Sequence, residues 1–288
     1  MKRAIIITTI ALLAVLAAIN WSRIAWLYYN FFPNLESIQQ ASLDALKEIE
    51  SKIIAPPPLI KKEGTPGEQL AKEGILRLTN EQRAKFDSGE LAGNTRLEQA
   101  AGIKLDDMLN KQYFDHIAPD GTGIANLAKK TGYEFILIGE NLALGSFEDD
   151  SDLVNAWMQS PGHRENILNK NFKEIGIAVK KGIYEGEEVW IAVQEFGTPL
   201  SLCPKPDESQ SEKISTLQNE VAQKQKKLDD ERSGIENGSF ASRDAYRQAV
   251  STYNSMVADY NASVNELRTV TESYNRAAKN FNQCIQME

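Results

Sequence analysis

The sequence predicts an α+β protein on three observations. Helical periodicity fills the first part of a central stretch, β-rich runs appear only at its end around a glycine-bearing turn, and residues 207–288 carry a heptad pattern. Helices first and a hairpin last favour an antiparallel sheet over a parallel one. A chain of 288 residues, 42% hydrophobic and 25% charged, has room for one or two ordinary domains plus extensions. Its formal net charge of −8 excludes a general nucleic-acid binder, which would show a basic face.

Residues 1–32 read as a membrane anchor or signal segment. Lys2 and Arg3 precede an unbroken apolar run over residues 4–19, and Trp21, Trp26, Tyr28 and Tyr29 follow as interfacial aromatics. An uncleaved anchor is the favoured reading, and signal cleavage after a weak Val15-Leu16-Ala17 site is the alternative. Either way the positive-inside tendency exports the rest of the chain. The segment 33–69 follows: an amphipathic helix over 33–54, marked by Leu35, Ile38, Leu43, Leu46, Ile49 and Ile53, then a polar linker. Pro56, Pro57 and Pro58 open that linker as a semi-rigid extended spacer.

A compact domain is expected over residues 70–200. Ile75, Leu78, Thr79 and Arg83 mark a first helix; Leu97, Ala100, Ala101, Leu105 and Met108 mark a second. Residues 122–131 form a third, ended by Gly132, and Asp149, Asp150 or Ser151 caps a fourth over residues 153–158. Strands are expected at 175–179 and 188–196, with Gly182 and Gly186 in the turn between them.

Residues 201–288 read as a coiled-coil helical hairpin. Ile214, Leu217, Val221, Lys224 and Leu228 step by three and four. After a break at residues 233–239, Tyr246, Val250, Tyr253, Val257, Tyr260, Val264, Leu267, Thr271, Tyr274, Ala278, Phe281 and Ile285 continue the pattern. The tyrosine stripe is packing rather than a ligand site. Cys203 and Cys284, an even pair in an exported chain, are expected to form an intramolecular disulfide.

The chemistry-bearing residues cluster in three motifs. The chain has two histidines, His116 in YFDHIAPDG and His163 in WMQSPGHRENIL, with Glu140 between them in IGENLALG. Histidine titrates near neutral pH and is the commonest metal ligand, so this usage points to a cleft. With TNEQR at 79–83, GYEFILIGENLA at 132–143, AWMQSPGHRENIL at 156–168, EIGIAV at 174–179 and VQEFG at 193–197, the stretch resembles the CAP superfamily, also called the SCP or cysteine-rich secretory protein, antigen 5 and pathogenesis-related-1 domain, in its bacterial form. The resemblance implies a three-layer α-β-α sandwich with a central antiparallel sheet. It implies a cleft of two histidines and two acids, onto which His116, Glu140 and His163 map. The fourth position falls at Ser160, which removes one carboxylate and weakens divalent-metal binding. Asn141 and Gln194 are supporting polar groups of that cleft, and Glu165 is a solvated residue at a helix start.

The expected cofactor, if there is one, is zinc or another divalent metal held by His116, His163 and Glu140. HExxH and GxSxG are absent, and neither cysteine lies in the domain. Three functions follow in order of preference: an envelope-anchored binding module, a metal-assisted hydrolase of peptide or cell-wall material, and a spacer with a vestigial cleft. Expected partners are the membrane, through the N-terminal segment, and an envelope glycan, peptide, lipid or protein. The coiled coil also offers a surface for self-association.

Overall fold

The computed structural model describes residues 52–64 and 66–286. The N-terminal anchor segment and most of the expected helix over 33–54 lie outside the described residues. Among the described residues no helix is long and apolar enough to cross a membrane. The described chain divides into two compact units, residues 52–204 with 283–286, and residues 205–282.

The first unit is a mixed α/β domain. Its strands are β1 (Lys52–Ile54), β2 (Leu59–Lys61), β3 (Ala92–Gly93), β4 (Phe135–Gly145), β5 (Glu174–Tyr184) and β6 (Glu187–Pro199). Its helices are α1 (Lys72–Lys85), α2 (Thr95–Lys111), α3 (Ile124–Thr131), α4 (Asp150–Gln159) and α5 (Pro161–Leu168). The sheet order is β1-β4-β6-β5-β3, with β2 also on β4. The three long strands pair antiparallel, as expected. The three short ones add in parallel at the edges, which the antiparallel expectation did not contain.

Local chemistry explains the helices. The Asn94 side chain caps α2 by accepting from the backbone of Arg96 and Leu97, and Asp149 caps α4 by accepting from Asp152. Gly132 ends α3 in the left-handed conformation, where a residue without Cβ is unstrained. The β5–β6 turn is tighter than expected. β5 runs on through Gly182 to Tyr184, so the reversal falls at Glu185 and Gly186, both with positive φ.

β4 alternates between two cores. Leu142 and Leu144 pack with Ile191 and Val193 against Ala101, Leu105 and Met108 of α2, and Ile138 meets Leu97, Ile124 and Ala128 of α2 and α3. Leu137 and Ala143 point the other way, into a core with Ile75, Leu153, Trp157, Ile167, Phe172 and Phe196. That core is built on α1, α4 and α5. Arg83 is buried beneath it, donating to the carbonyls of Ser88, Gly89, Ile167, Asn169 and Phe172, and so ties α1 to the end of α5.

The segment 52–61 departs most from expectation. Residues 52–54 are strand rather than the end of a helix, and the proline run is not a free spacer. β1 lies along residues 137–139 of β4 and β2 along 143–145. Together they cover the β4 edge, whose exposed backbone would otherwise invite pairing. Prolines fit between them because Ala55–Pro58 sits where the ladder is interrupted and no N–H is required.

In the second unit, α6 (Glu208–Asn237) and α7 (Arg243–Gln286) share an apolar seam. Ile214, Leu217, Val221 and Leu228 meet Tyr260, Leu267 and Tyr274. Lys213 pairs with Glu266 and Lys224 with Asp259, so the helices run antiparallel. The break falls at residues 238–242, slightly later than the sequence suggests. Cys203 and Cys284, both within the first unit, form a disulfide with Cα atoms 5.6 Å apart.

Candidate functional site

The site forms at the edge of β4, where the sheet's period of two separates neighbours in sequence. Glu140 pairs directly across the ladder with Glu195, and Asn141 with Gln194. The two pairs therefore project from opposite faces.

On the α2 face, Glu140 and Glu195 are fully buried acids held side by side. The Oε1 of Glu140 lies 2.5 Å from Nδ1 of His116, which comes from the loop after α2. The same loop is anchored by Lys104 of α2, whose ammonium is almost fully buried and donates to the His116 carbonyl at 2.8 Å. Burial pushes the Lys104 pKa down, while Glu140, Glu195, Asp115 and Asp107 act in the opposite direction. Burial, and then the neighbouring Glu140 charge, pushes the Glu195 carboxyl well above the usual carboxylate range. The protonated Glu195 carboxyl shares a side-chain hydrogen bond with Glu140, and beyond that pairing the remaining oxygens of the two acids have no well-formed partner among the described residues.

On the other face, Asn141 and Gln194 bind each other at 3.2 Å, Asn141 donates to the His163 carbonyl, and Gln194 donates to the Thr79 hydroxyl of α1. Asn166 of α5 donates to Asn141 Oδ1 and to the backbone carbonyls of Glu140 and Ile54. The sequence reading placed Asn141 and Gln194 in the cleft. Here they hold α5 on the sheet from its far side, because adjacent strand residues point apart.

His163 lies in the first turn of α5, with Nδ1 2.8 Å from the Ser160 hydroxyl at the helix N-cap. Its side chain is buried, and its pKa is lowered to about 4, first by burial and then by the His116 charge. The Leu142 carbonyl favours the charged form only weakly, and Nε2 has no well-formed hydrogen bond. The imidazole is therefore neutral at pH 7. Ser160 and His163 resemble half of a nucleophile–base pair, but among the described residues no carboxylate orients the imidazole from its other nitrogen. Glu165 is exposed, as expected.

His116 has no nitrogen to spare. Nδ1 meets Glu140, and Nε2 meets the backbone carbonyl of Pro56. A carbonyl only accepts, so Nε2 acts there as donor. A metal ligand must instead present a lone pair. Among the described residues no three His, Cys, Asp or Glu side chains are grouped to hold a metal ion. The set His116, His163 and Glu140 does not fit a metal centre in this arrangement.

Lys104 and Glu195 were not singled out from the sequence, although both left a signal. Lys104 falls on the buried stripe that also carries Leu97, Ala100, Ala101, Leu105 and Met108, and Glu195 interrupts an apolar β-run. An ionisable group at a core position marks a site more sharply than one on a loop.

Residues 76–196 match the family model described as the cysteine-rich secretory protein family, CAP. The chain is 37% identical over 122 residues to the uncharacterized protein YkwD of Bacillus subtilis, covering 42% of this chain and 45% of that one. It is 27% identical over 114 residues to the uncharacterized membrane protein YlbC of the same organism, covering 40% of this chain and 33% of that one. The chain thus spans less than half the length of either relative. A solved extracellular protein containing an SCP domain, from Bacillus anthracis, aligns with 28% identity and a TM-score of 0.38 over 43% of this chain and 39% of its own. The family match takes in α2 to α5, strands β4 and β5, most of β6 and both histidines, so residues 76–196 form a CAP-family domain similar to that of bacterial proteins.

Proposed function

We propose that this chain is an extracytoplasmic, membrane-associated binding module of the bacterial envelope, and that it recognises its ligand through the His116, Glu140 and His163 cleft. The observation that carries this reading is unused hydrogen-bonding capacity. His163 Nε2 is buried without a well-formed partner, and the buried Glu195 and Glu140 carboxyls have no well-formed partner for their remaining oxygens beyond the hydrogen bond they share, although native interiors satisfy nearly all such atoms. A site built this way waits for a polar ligand. Among the described residues no nucleophile at the site is paired with an oriented base, and this reading therefore favours binding over hydrolysis.

Other features support the finer parts of the reading. Helices on both faces of the sheet agree with a three-layer α-β-α sandwich, and the antiparallel apolar seam between α6 and α7 agrees with a coiled-coil hairpin that presents or pairs the domain. One relative is named as a membrane protein, which agrees with an anchor at residues 1–32. The disulfide fits an oxidising compartment.

The test is retention of the purified full chain on isolated bacterial envelope fractions, wild type beside a His116→Ala, His163→Ala double variant. Loss of retention in a variant with unchanged far-UV circular dichroism supports a ligand-binding cleft. Equal retention of both proteins rejects it and leaves a spacer whose cleft is vestigial.

A further inference from the structure

The segment 52–61 occupies the cleft in the manner of a ligand. It enters as a parallel strand on residues 137–139, leaves as a parallel strand on 143–145, and crosses the histidine site between them. Four residues, Ala55–Pro58, span three of β4, Glu140–Leu142, so the crossing bulges away from the ladder. Pro56 is buried at that bulge, and its carbonyl accepts from His116 Nε2. Two residues before Pro56, the Ile54 carbonyl accepts from Asn166. Ile54 and Leu59 flank the crossing and pack into the core built on α1, α4 and α5.

The receiving surface is shaped for a backbone. A Cβ on Gly145 would lie 1.9 Å from the Lys61 carbonyl oxygen, and one on Gly162 would lie 2.6 Å from the Pro56 Cβ. A Cβ on Gly139 would approach the Ile54 carbonyl oxygen to 3.2 Å. Glycine lets the main chain of the segment approach closely at Gly145 and makes room for the Pro56 ring at Gly162, while Gly139 is crowded first by the Phe172 ring and then by the Ile54 carbonyl. Backbone pairing with side-chain pockets on either side of the pairing is how an extended peptide adds to a sheet edge. Prolines fit the crossing because no ladder hydrogen bond is made there, and they pre-set an extended conformation.

From this geometry we infer that the cleft is a receptor for an extended, proline-containing peptide, and that the chain fills it with its own segment 52–61. This rests on reading the cleft as a binding site and names the class of its ligand. His116, held by Glu140, donates to the peptide carbonyl at the proline crossing. Asn166 takes the carbonyl two residues earlier, Gly145 admits the backbone, and Gly162 admits the proline ring. A tethered occupant has an effective concentration on the order of millimolar, so a free peptide gains access only when the segment is loosened.

The test uses the full chain and a fluorescein-labelled peptide copying residues 51–62, SKIIAPPPLIKK. An Ile54→Ser, Leu59→Ser variant removes the two side chains that seat the tethered segment and leaves the receiving surface intact. Fluorescence anisotropy should show saturable binding to this variant, at least about tenfold tighter than to wild type. Adding His116→Ala should weaken the binding by about tenfold, the loss of one charge-assisted hydrogen bond. Adding Gly162→Ala instead should also weaken it, because its Cβ meets the proline. Circular dichroism and the intact disulfide by mass analysis report that each variant is folded. A folded Ile54→Ser, Leu59→Ser variant that does not bind the peptide overturns the inference. So does binding that is indifferent to both His116→Ala and Gly162→Ala. If envelope retention still depends on His116 while the peptide fails to bind, the ligand class is wrong and the binding cleft stands.

Discussion

Replacing Glu195 with glutamine should stabilise the protein, and increasingly so as pH rises. Glu195 is fully buried opposite Glu140, and its carboxyl pKa is raised by burial and by that neighbour. In the unfolded chain the same carboxyl ionises near its ordinary value of about 4.3. Between that pH and the raised folded pKa, the native state holds one more proton than the unfolded state. The contribution of the group is thus fully present below the unfolded pKa and is lost as pH rises, by about 1.4 kcal/mol per pH unit. The wild type therefore loses stability through this residue as pH rises from the unfolded value up to the raised folded one. Glutamine keeps the shape and carries no titrating proton. The difference between the two proteins reports the Glu140–Glu195 pair, because removing one buried acid also releases its neighbour, while the remaining titratable groups are common to both. Urea unfolding followed by fluorescence of the buried Trp157, at pH 5, 6 and 7, measures it. Stability profiles that stay parallel across that range would show Glu195 to be ionised in the fold and would refute the reasoning.

The remaining predictions follow from single sites. The C2–H resonance of His163 should titrate near pH 4; its folded pKa lies below the unfolded value, so its contribution is present above about pH 6.5 and lost as pH falls toward 4. A midpoint at or above 6 would mean the ring is solvated. Arg83→Met should cost on the order of 4 kcal/mol in urea unfolding, because five carbonyls lose their donor at a buried position; a loss under about 1 kcal/mol would mean that water replaces the guanidinium. Reducing the Cys203–Cys284 disulfide, which closes a separation of 81 residues, should cost about 4 kcal/mol of stability on the chain-entropy account. An unchanged melting temperature after full reduction would contradict that account.

The legible parts of the fold were those encoded by local periodicity and end chemistry. α1 to α4 and the β5–β6 hairpin stand where apolar spacing, Asp149 and the glycines put them. β4 was less legible. FILIGENLALG is buried on both faces, so it reads as a continuous apolar run with a polar centre and lacks the alternation that marks a half-exposed strand. β1 and β2 are three residues each around a proline run, and nothing local separates them from a linker. Their strand character comes from pairing with a partner more than eighty residues away.

The site divides in the same way. His116, Glu140, His163 and Ser160 were recognisable by type and motif, and they do converge at one edge of the sheet. Asn141 and Gln194 are adjacent in sequence to Glu140 and Glu195, yet they serve the opposite face. By itself the sequence determined the family of residues 76–196, helices α1 to α4, the β5–β6 hairpin and the two histidines, because each is written in motifs or spacings within a single stretch of chain. Only the tertiary structure decided that Lys104 and Glu195 are buried beside Glu140, and that Pro56 closes His116. Burial and pairing depend on which distant segments meet, and that is settled by packing the whole domain at once.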